Sequence, residues 1–200
     1  MKLCQPSLQR ILFVLAVPVM ISASGQAAYP QELQVEMREG GSVATNLEFG
    51  SALNNTSSLK RKLITLNDTS SPARLSDPGI RTRHRDETFF FEPIGWVNPT
   101  RPVSAVNVRF VLYDMFGNHL QTLSGTIVED FGPETSFDLS RLGFWTTGER
   151  EARDLLTIVT FVAHVRTQGE TVWTYSPEAV VNRLNSLRLK TNRDMLDPKE

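Results

Sequence analysis

The chain predicts an all-β fold, an antiparallel β-sandwich with a short C-terminal helix. Three observations predict it. Apolar residues recur with a period of two in short runs bounded by turn residues. Residues 155–166 are apolar on both faces of an extended segment, as in a central strand covered on both sides. Helical spacing occurs once, near the end, and no alternation of strand and helix precedes it.

Leu33-Gln34-Val35-Glu36-Met37 alternates like a short strand, and Gly40-Gly41 breaks it. Residues 54–58 form a polar connector. Residues 59–66 read as a strand with a basic start, residues 67–79 as turn-rich around Pro72 and Pro78, and residues 81–87 as a charged run. Residues 88–97 read as an aromatic strand interrupted by Pro93. Three adjacent phenylalanines, Phe89, Phe90 and Phe91, must place aromatic rings on both of its faces.

The clearest strand is residues 106–113. Val106, Val108, Phe110 and Leu112 share one face; Asn107, Arg109, Val111 and Tyr113 share the other. Asp114, Gly117 and Asn118 are turn formers, and residues 119–128 return with Leu120, Thr122, Thr126 and Val128 on one face, so the two make a hairpin. Residues 136–139 read as another short strand, residues 143–150 as a loop, and Gln168-Gly169 turns the apolar strand into residues 171–175. Ser176, Pro177 and Glu178 are helix-start signals. Val180, Val181, Leu184 and Leu187 follow at helical spacing, which predicts a helix over 177–189 packed on its own domain. Residues 190–200 read as a polar, poorly ordered tail.

At the N-terminus, Lys2 and Arg10 precede an apolar run over 11–21 and a small, polar stretch over 22–28, the layout of a secretory signal peptide with cleavage after Ala27. The domain boundaries that follow are 1–27 for the signal, 28–189 for a single sandwich domain and 190–200 for the tail. The sole cysteine, Cys4, falls in the signal, so the mature chain would hold no thiol for a disulfide, a zinc ligand or a nucleophile. Losing Lys2 and Arg10 leaves 19 basic residues against 22 acidic ones, a balance that argues against general binding to nucleic acid or to an anionic membrane. No other apolar run is long enough to span a bilayer, and the expected destination is the periplasm or the exterior. Asn54-Asn55-Thr56 and Asn67-Asp68-Thr69 match glycosylation sequons, which matter only in a eukaryotic secretory pathway.

Phe110-Val111-Leu112-Tyr113-Asp114, preceded by Gly95-Trp96-Val97-Asn98 and Pro102-Val103 and followed by Gly132-Pro133-Glu134-Thr135, resembles the FxLYD family of extracytoplasmic, immunoglobulin-like β-sandwich modules. The likeness covers about 89–175. Gly132 and Pro133 are swapped relative to the family's usual turn. The resemblance implies a binding or structural module and carries no catalytic residues.

Nucleotide-binding glycine loops, a Gly-x-Ser-x-Gly elbow and a His-Glu-x-x-His pair are all missing from the sequence, and no cofactor is expected. Arg81, Arg83 and Arg85 form the densest positive cluster, partly offset by Asp86 and Glu87, and can dock phosphate, an acidic glycan or an acidic protein surface. With the outward ring of Phe90 and with Phe144-Trp145, they are the candidate contacts for an envelope or secreted protein partner. The competing reading is an exported hydrolase. It would use loop carboxylates among Glu129, Asp130, Glu134 and Asp138, or a metal shared by His84, His119 and His164.

Overall fold

The computed structural model describes residues 32–44, 56–85 and 88–198. The expected signal peptide, Asn54-Asn55 of the first sequon and Asp86-Glu87 lie outside them. Its strands are β1 (Leu33–Ala44), β2 (Thr56–Asp68), β3 (Ala73–Arg85), β4 (Thr88–Pro99), β5 (Val103–Tyr113), β6 (His119–Phe131), β7 (Phe137–Asp138), β8 (Trp145–Thr147), β9 (Thr157–Thr167) and β10 (Val172–Thr174). Helix α1 (Glu149–Asp154) precedes β9, and α2 (Pro177–Ser186) follows β10.

These strands make two packed sheets, so the fold is an all-β sandwich with a short helix near its end. The larger sheet runs β1-β2-β9-β5-β6, with β10 continuing the β2 side of β9. The smaller runs β3-β4, and β7 and β8 share the far edge of β4. One pairing departs from the antiparallel expectation: β2 and β9 run parallel, Lys62 opposite Thr157 through Leu66 opposite Phe161.

Alternation along β5 separates two cores. Val106, Val108, Phe110 and Leu112 point between the sheets, where they meet Phe89, Phe91, Val97, Ile158 and Val162. Val111 and Tyr113 point to the other side of the larger sheet, with Val159, Phe161 and Ala163 of β9. The dual burial of β9 follows from this: both of its faces are covered, as its apolar pattern requires. An extra residue in β9, Ala163, shifts the register between the Asn107–His164 and Val108–Val162 pairs, and Val165 thereby joins the inter-sheet core. In β6 a similar shift beside Leu120 turns that side chain toward the inter-sheet core, away from Thr122 and its neighbours.

Residues 73–79 of the turn-rich stretch and the charged run as far as Arg85 are one strand, β3, a correction to the sequence expectation. It is the edge of the smaller sheet, where charge is tolerated, and Pro78 falls in the register shift between Ser76 and Gly79. That shift presses on β4, since a Cβ at Gly95 would stand 2.5 Å from the Asp77 carbonyl oxygen. Gly95 itself sits at φ 107°, so only glycine fits. Pro93 does not interrupt β4; it lies between the segments paired to β8 and to β7, where the far side of β4 has no partner strand. The predicted loop over 143–150 holds β8 and the start of α1.

The outer face of the larger sheet is covered by the chain's own C-terminus. Ser176 caps α2 by accepting from the Ala179 amide, and Pro177 opens the helix. Val180 and Leu184 are buried on Phe161, Val111 and Tyr113. Residues 190–198 are not a loose tail: Leu196 is 0% exposed, and a short 3-10 turn, Arg193–Leu196, packs beside β6 and β5. Beneath it Arg109 is buried, its Nη1 2.7 Å from the Leu196 carbonyl oxygen, 2.7 Å from Asp197 Oδ1 and 2.8 Å from the Tyr175 hydroxyl. Burial pushes the neighbouring Tyr113 hydroxyl up to about 12, against the opposing pull of its hydrogen bond to Thr191. The β5–β6 turn is tied to the same segment. Asp114 Oδ1 accepts from the Phe116 and Asn118 amides at 2.8 Å, and Lys190 bonds to the Gly117 carbonyl and to Asn118 Oδ1. Burial opposes ionisation of Asp114, but these hydrogen bonds and the Lys190 ammonium outweigh it and hold the carboxyl below its ordinary pKa.

Candidate functional site

The outer face of the smaller sheet is built from alternate residues of two paired strands. Arg81, Arg83 and Arg85 lie on one side of β3, and the antiparallel register sets them opposite Glu92, Phe90 and Thr88. Phe89 and Phe91 turn into the core, so Phe90 alone of the three rings faces outward. Phe144, just ahead of β8, meets Phe90 edge-on with ring centroids 5.0 Å apart and is 65% exposed. Arg83, Arg85, Phe90 and Phe144 thus line one open groove of about 420 Å³, with His84 and Glu92 completing it.

Five of the six predicted contact residues therefore share this face, and four share the groove. Arg81 stands beside it, its Nη1 3.5 Å from Glu92 Oε2, while Arg83 Nε is 2.6 Å from the same oxygen. Trp145 is the exception and a correction. It pairs with Phe91 across β4 and β8, so it points inward and packs on Phe110 with centroids 5.6 Å apart. Successive side chains of an extended segment diverge, so Phe144 lines the arginine groove and Trp145 does not.

Among the described residues of this face, three guanidinium groups stand against one carboxylate. Planar guanidinium forks beside aromatic rings suit a carboxylate or phosphate carried on a chain with some apolar surface. Glu92 holds Arg81 and Arg83 in place and lowers the net field at the same time.

The residues of the hydrolase reading are engaged separately. Glu129 pairs with Arg141 at 3.0 Å, and Asp138 Oδ1 accepts from the Ser140 amide at 2.8 Å, capping the 3-10 turn Leu139–Leu142. Asp130 lines a different hollow with Arg166 and Glu170, and Glu134 lies exposed in the β6–β7 loop. His84 stacks on Phe89, His119 Nε2 is 2.9 Å from Thr122 Oγ1, and His164 lies beside Tyr175. Burial, then the Arg109 charge, lowers the pKa of His164. Among the described residues no three His, Cys, Asp or Glu gather as metal ligands.

Sequence reasoning missed the Arg109–Tyr175–Asp197 cluster, whose members are 66 and 88 residues apart from Arg109. The signal within reach was an arginine on the same strand face as Val111 and Tyr113. Comparison with family models, with curated proteins and with solved structures finds no match to this chain.

Proposed function

We propose that the chain is an exported, non-catalytic β-sandwich protein, a binding or structural interaction module of the cell envelope. It recognises an acidic segment of another envelope or secreted protein through the groove of Arg83, Arg85, Phe90 and Phe144. The observation that carries this reading is the pairing of an exposed aromatic edge with arginines on the one broad sheet face that the described chain leaves open. The signal-like N-terminus and the likeness of residues 89–175 to FxLYD modules support export and a binding role.

Fluorescence anisotropy with a labelled oligoglutamate peptide tests the groove. Binding should saturate, weaken as salt rises, and fall about tenfold or more, the equivalent of ~1.4 kcal/mol, when Arg83 and Arg85 are both changed to alanine. Equal binding by wild type and the double variant would remove the proposed surface. N-terminal sequencing of protein recovered from the envelope fraction tests export and should begin at Ala28.

A further inference from the structure

Trp96 is 44% exposed and lies on the same outer face as Phe90. Alternation along β4 carries from one to the other: Phe91 and Val97 turn into the core, and Phe90, Glu92 and Trp96 turn out. On β3 the bulge resets the phase. Between the Ser76–Trp96 and Gly79–Ile94 pairs, β3 holds Asp77 and Pro78 against Gly95 alone on β4. That extra residue returns Ser76 and Arg74 to the side of the sheet that carries Arg81, Arg83 and Arg85, while Ala73 and Leu75 stay in the core. Asn98 Nδ2 donates to Ser76 Oγ at 2.9 Å, and Ser136 Oγ donates to Asn98 Oδ1 at 2.6 Å, so the chain on both sides of the tryptophan is tied across the face.

Charge changes along this face. Among the described residues, Arg81, Arg83 and Arg85 gather at one end against Glu92. Around Trp96 the signs are mixed: Arg74 is exposed, Asp138 stands opposite the tryptophan on β7, and Asp77 is paired with Arg38. Charge complementarity therefore selects an acidic occupant at the arginine end only, and the other end offers the area of an indole ring. From Phe90 to Trp96 the strand advances ~20 Å. An extended segment laid along β4 advances at the same rate, so it reaches the tryptophan about six residues beyond the groove.

We infer that the occupant of the arginine groove is an extended segment with two separate anchors: acidic residues against Arg83 and Arg85, and an apolar side chain lying on Trp96 about six residues away. The inference rests on the groove reading and adds the second anchor to it. A half-exposed tryptophan gains much from being covered at an interface, through its large area and rigid ring. The sheet holds the two anchors at a fixed separation, so a segment that matches it makes the second contact within a complex already formed. Spacing as well as acidity then distinguishes the partner from other acidic segments.

Labelled peptides, each with a short glutamate block, test this by fluorescence anisotropy on the full chain. Two of them add a phenylalanine about six residues from the block, on its N-terminal side in one and its C-terminal side in the other; their controls carry serine there. One of the phenylalanine peptides should bind about tenfold more tightly than its control and shift tryptophan emission to the blue. Trp96→Ala should abolish that gain while the serine controls bind as before, which also shows an intact fold. Trp96→Phe should keep most of the gain and lose the emission shift. Halving the spacing should erase the gain. Equal affinity of phenylalanine and serine peptides, or a gain that survives Trp96→Ala, would overturn the inference and leave the groove reading standing. Absence of binding by every peptide would overturn the groove reading, and this inference with it. Self-association of the chain that is lost with Trp96→Ala would also overturn it, by assigning the ring to a second copy.

Discussion

The outer faces of the two sheets are treated in opposite ways. On the larger sheet, α2 and residues 187–198 fold back over Val111, Tyr113, Val159 and Phe161, and Leu184 and Leu196 are fully buried there. On the smaller sheet, arginines and two phenylalanine rings face outward from β3, β4 and the residue just ahead of β8, with no described segment across them. Both faces contain arginine and aromatic rings, yet Arg109 ends its hydrogen bonds inside the molecule, on Tyr175, Leu196 and Asp197. Arg83 lies at the surface, its side chain 56% exposed even while it meets Glu92. Similar chemistry thus holds the fold on one side and is presented outward on the other, and coverage by the chain's own end makes the difference.

The comparison breaks first in the core that both sheets share. Phe110→Ala removes a ring with 0% exposure and should cost about 3–5 kcal/mol, read as a lower urea midpoint. Leu196→Ala should cost somewhat less, about 2–4 kcal/mol, although the segment around it is mostly polar. A loss under ~0.5 kcal/mol would show that the C-terminal turn rests on the sheet without stabilising it. Asp197→Ala leaves Arg109 with only neutral acceptors. It should cost about 1–2 kcal/mol, while Arg109→Met, which removes the charge itself, should cost less than Arg109→Ala.

A smaller effect concerns the turn that the C-terminal segment grips. The Asp114 carboxyl has a lower pKa folded than unfolded. Its contribution to stability is therefore complete above the unfolded value of about 3.9 and fades as pH falls through the folded one. Wild type should lose more stability than Asp114→Asn in urea melts taken below about pH 4. Parallel curves would show that the ionised form is not favoured by the turn. On the open face, Arg83→Ala and Arg85→Ala should move the urea midpoint least of all, within about 0.5 kcal/mol.

Much of the architecture was legible because burial leaves a period. The alternation of β5 and the double-sided apolar run of β9 place both cores, and Ser176-Pro177 marks the start of α2. Elements whose cause is not periodic were not legible. β3 looked like a turn and a charged loop because it is an edge strand, with its proline in a bulge and its arginines facing outward. The C-terminal turn docks through one leucine and the backbone carbonyls of Met195 and Leu196, which no residue pattern records. At the site, Phe90 and the arginines were visible as a cluster, but the inward aim of Trp145 depends on a three-residue strand too short to announce itself.

The central claim, that one face stabilises and the other binds, is tested most directly by measuring two quantities on the same three proteins. Thermal midpoint and affinity for labelled oligoglutamate are taken for wild type, Leu196→Ala and the Arg83→Ala, Arg85→Ala double variant. The expected result is a crossed pattern: Leu196→Ala melts several degrees lower with wild-type affinity, and the double variant melts with wild type but binds about tenfold more weakly. Affinity and midpoint falling together in either variant, or a double variant that binds like wild type, would contradict it.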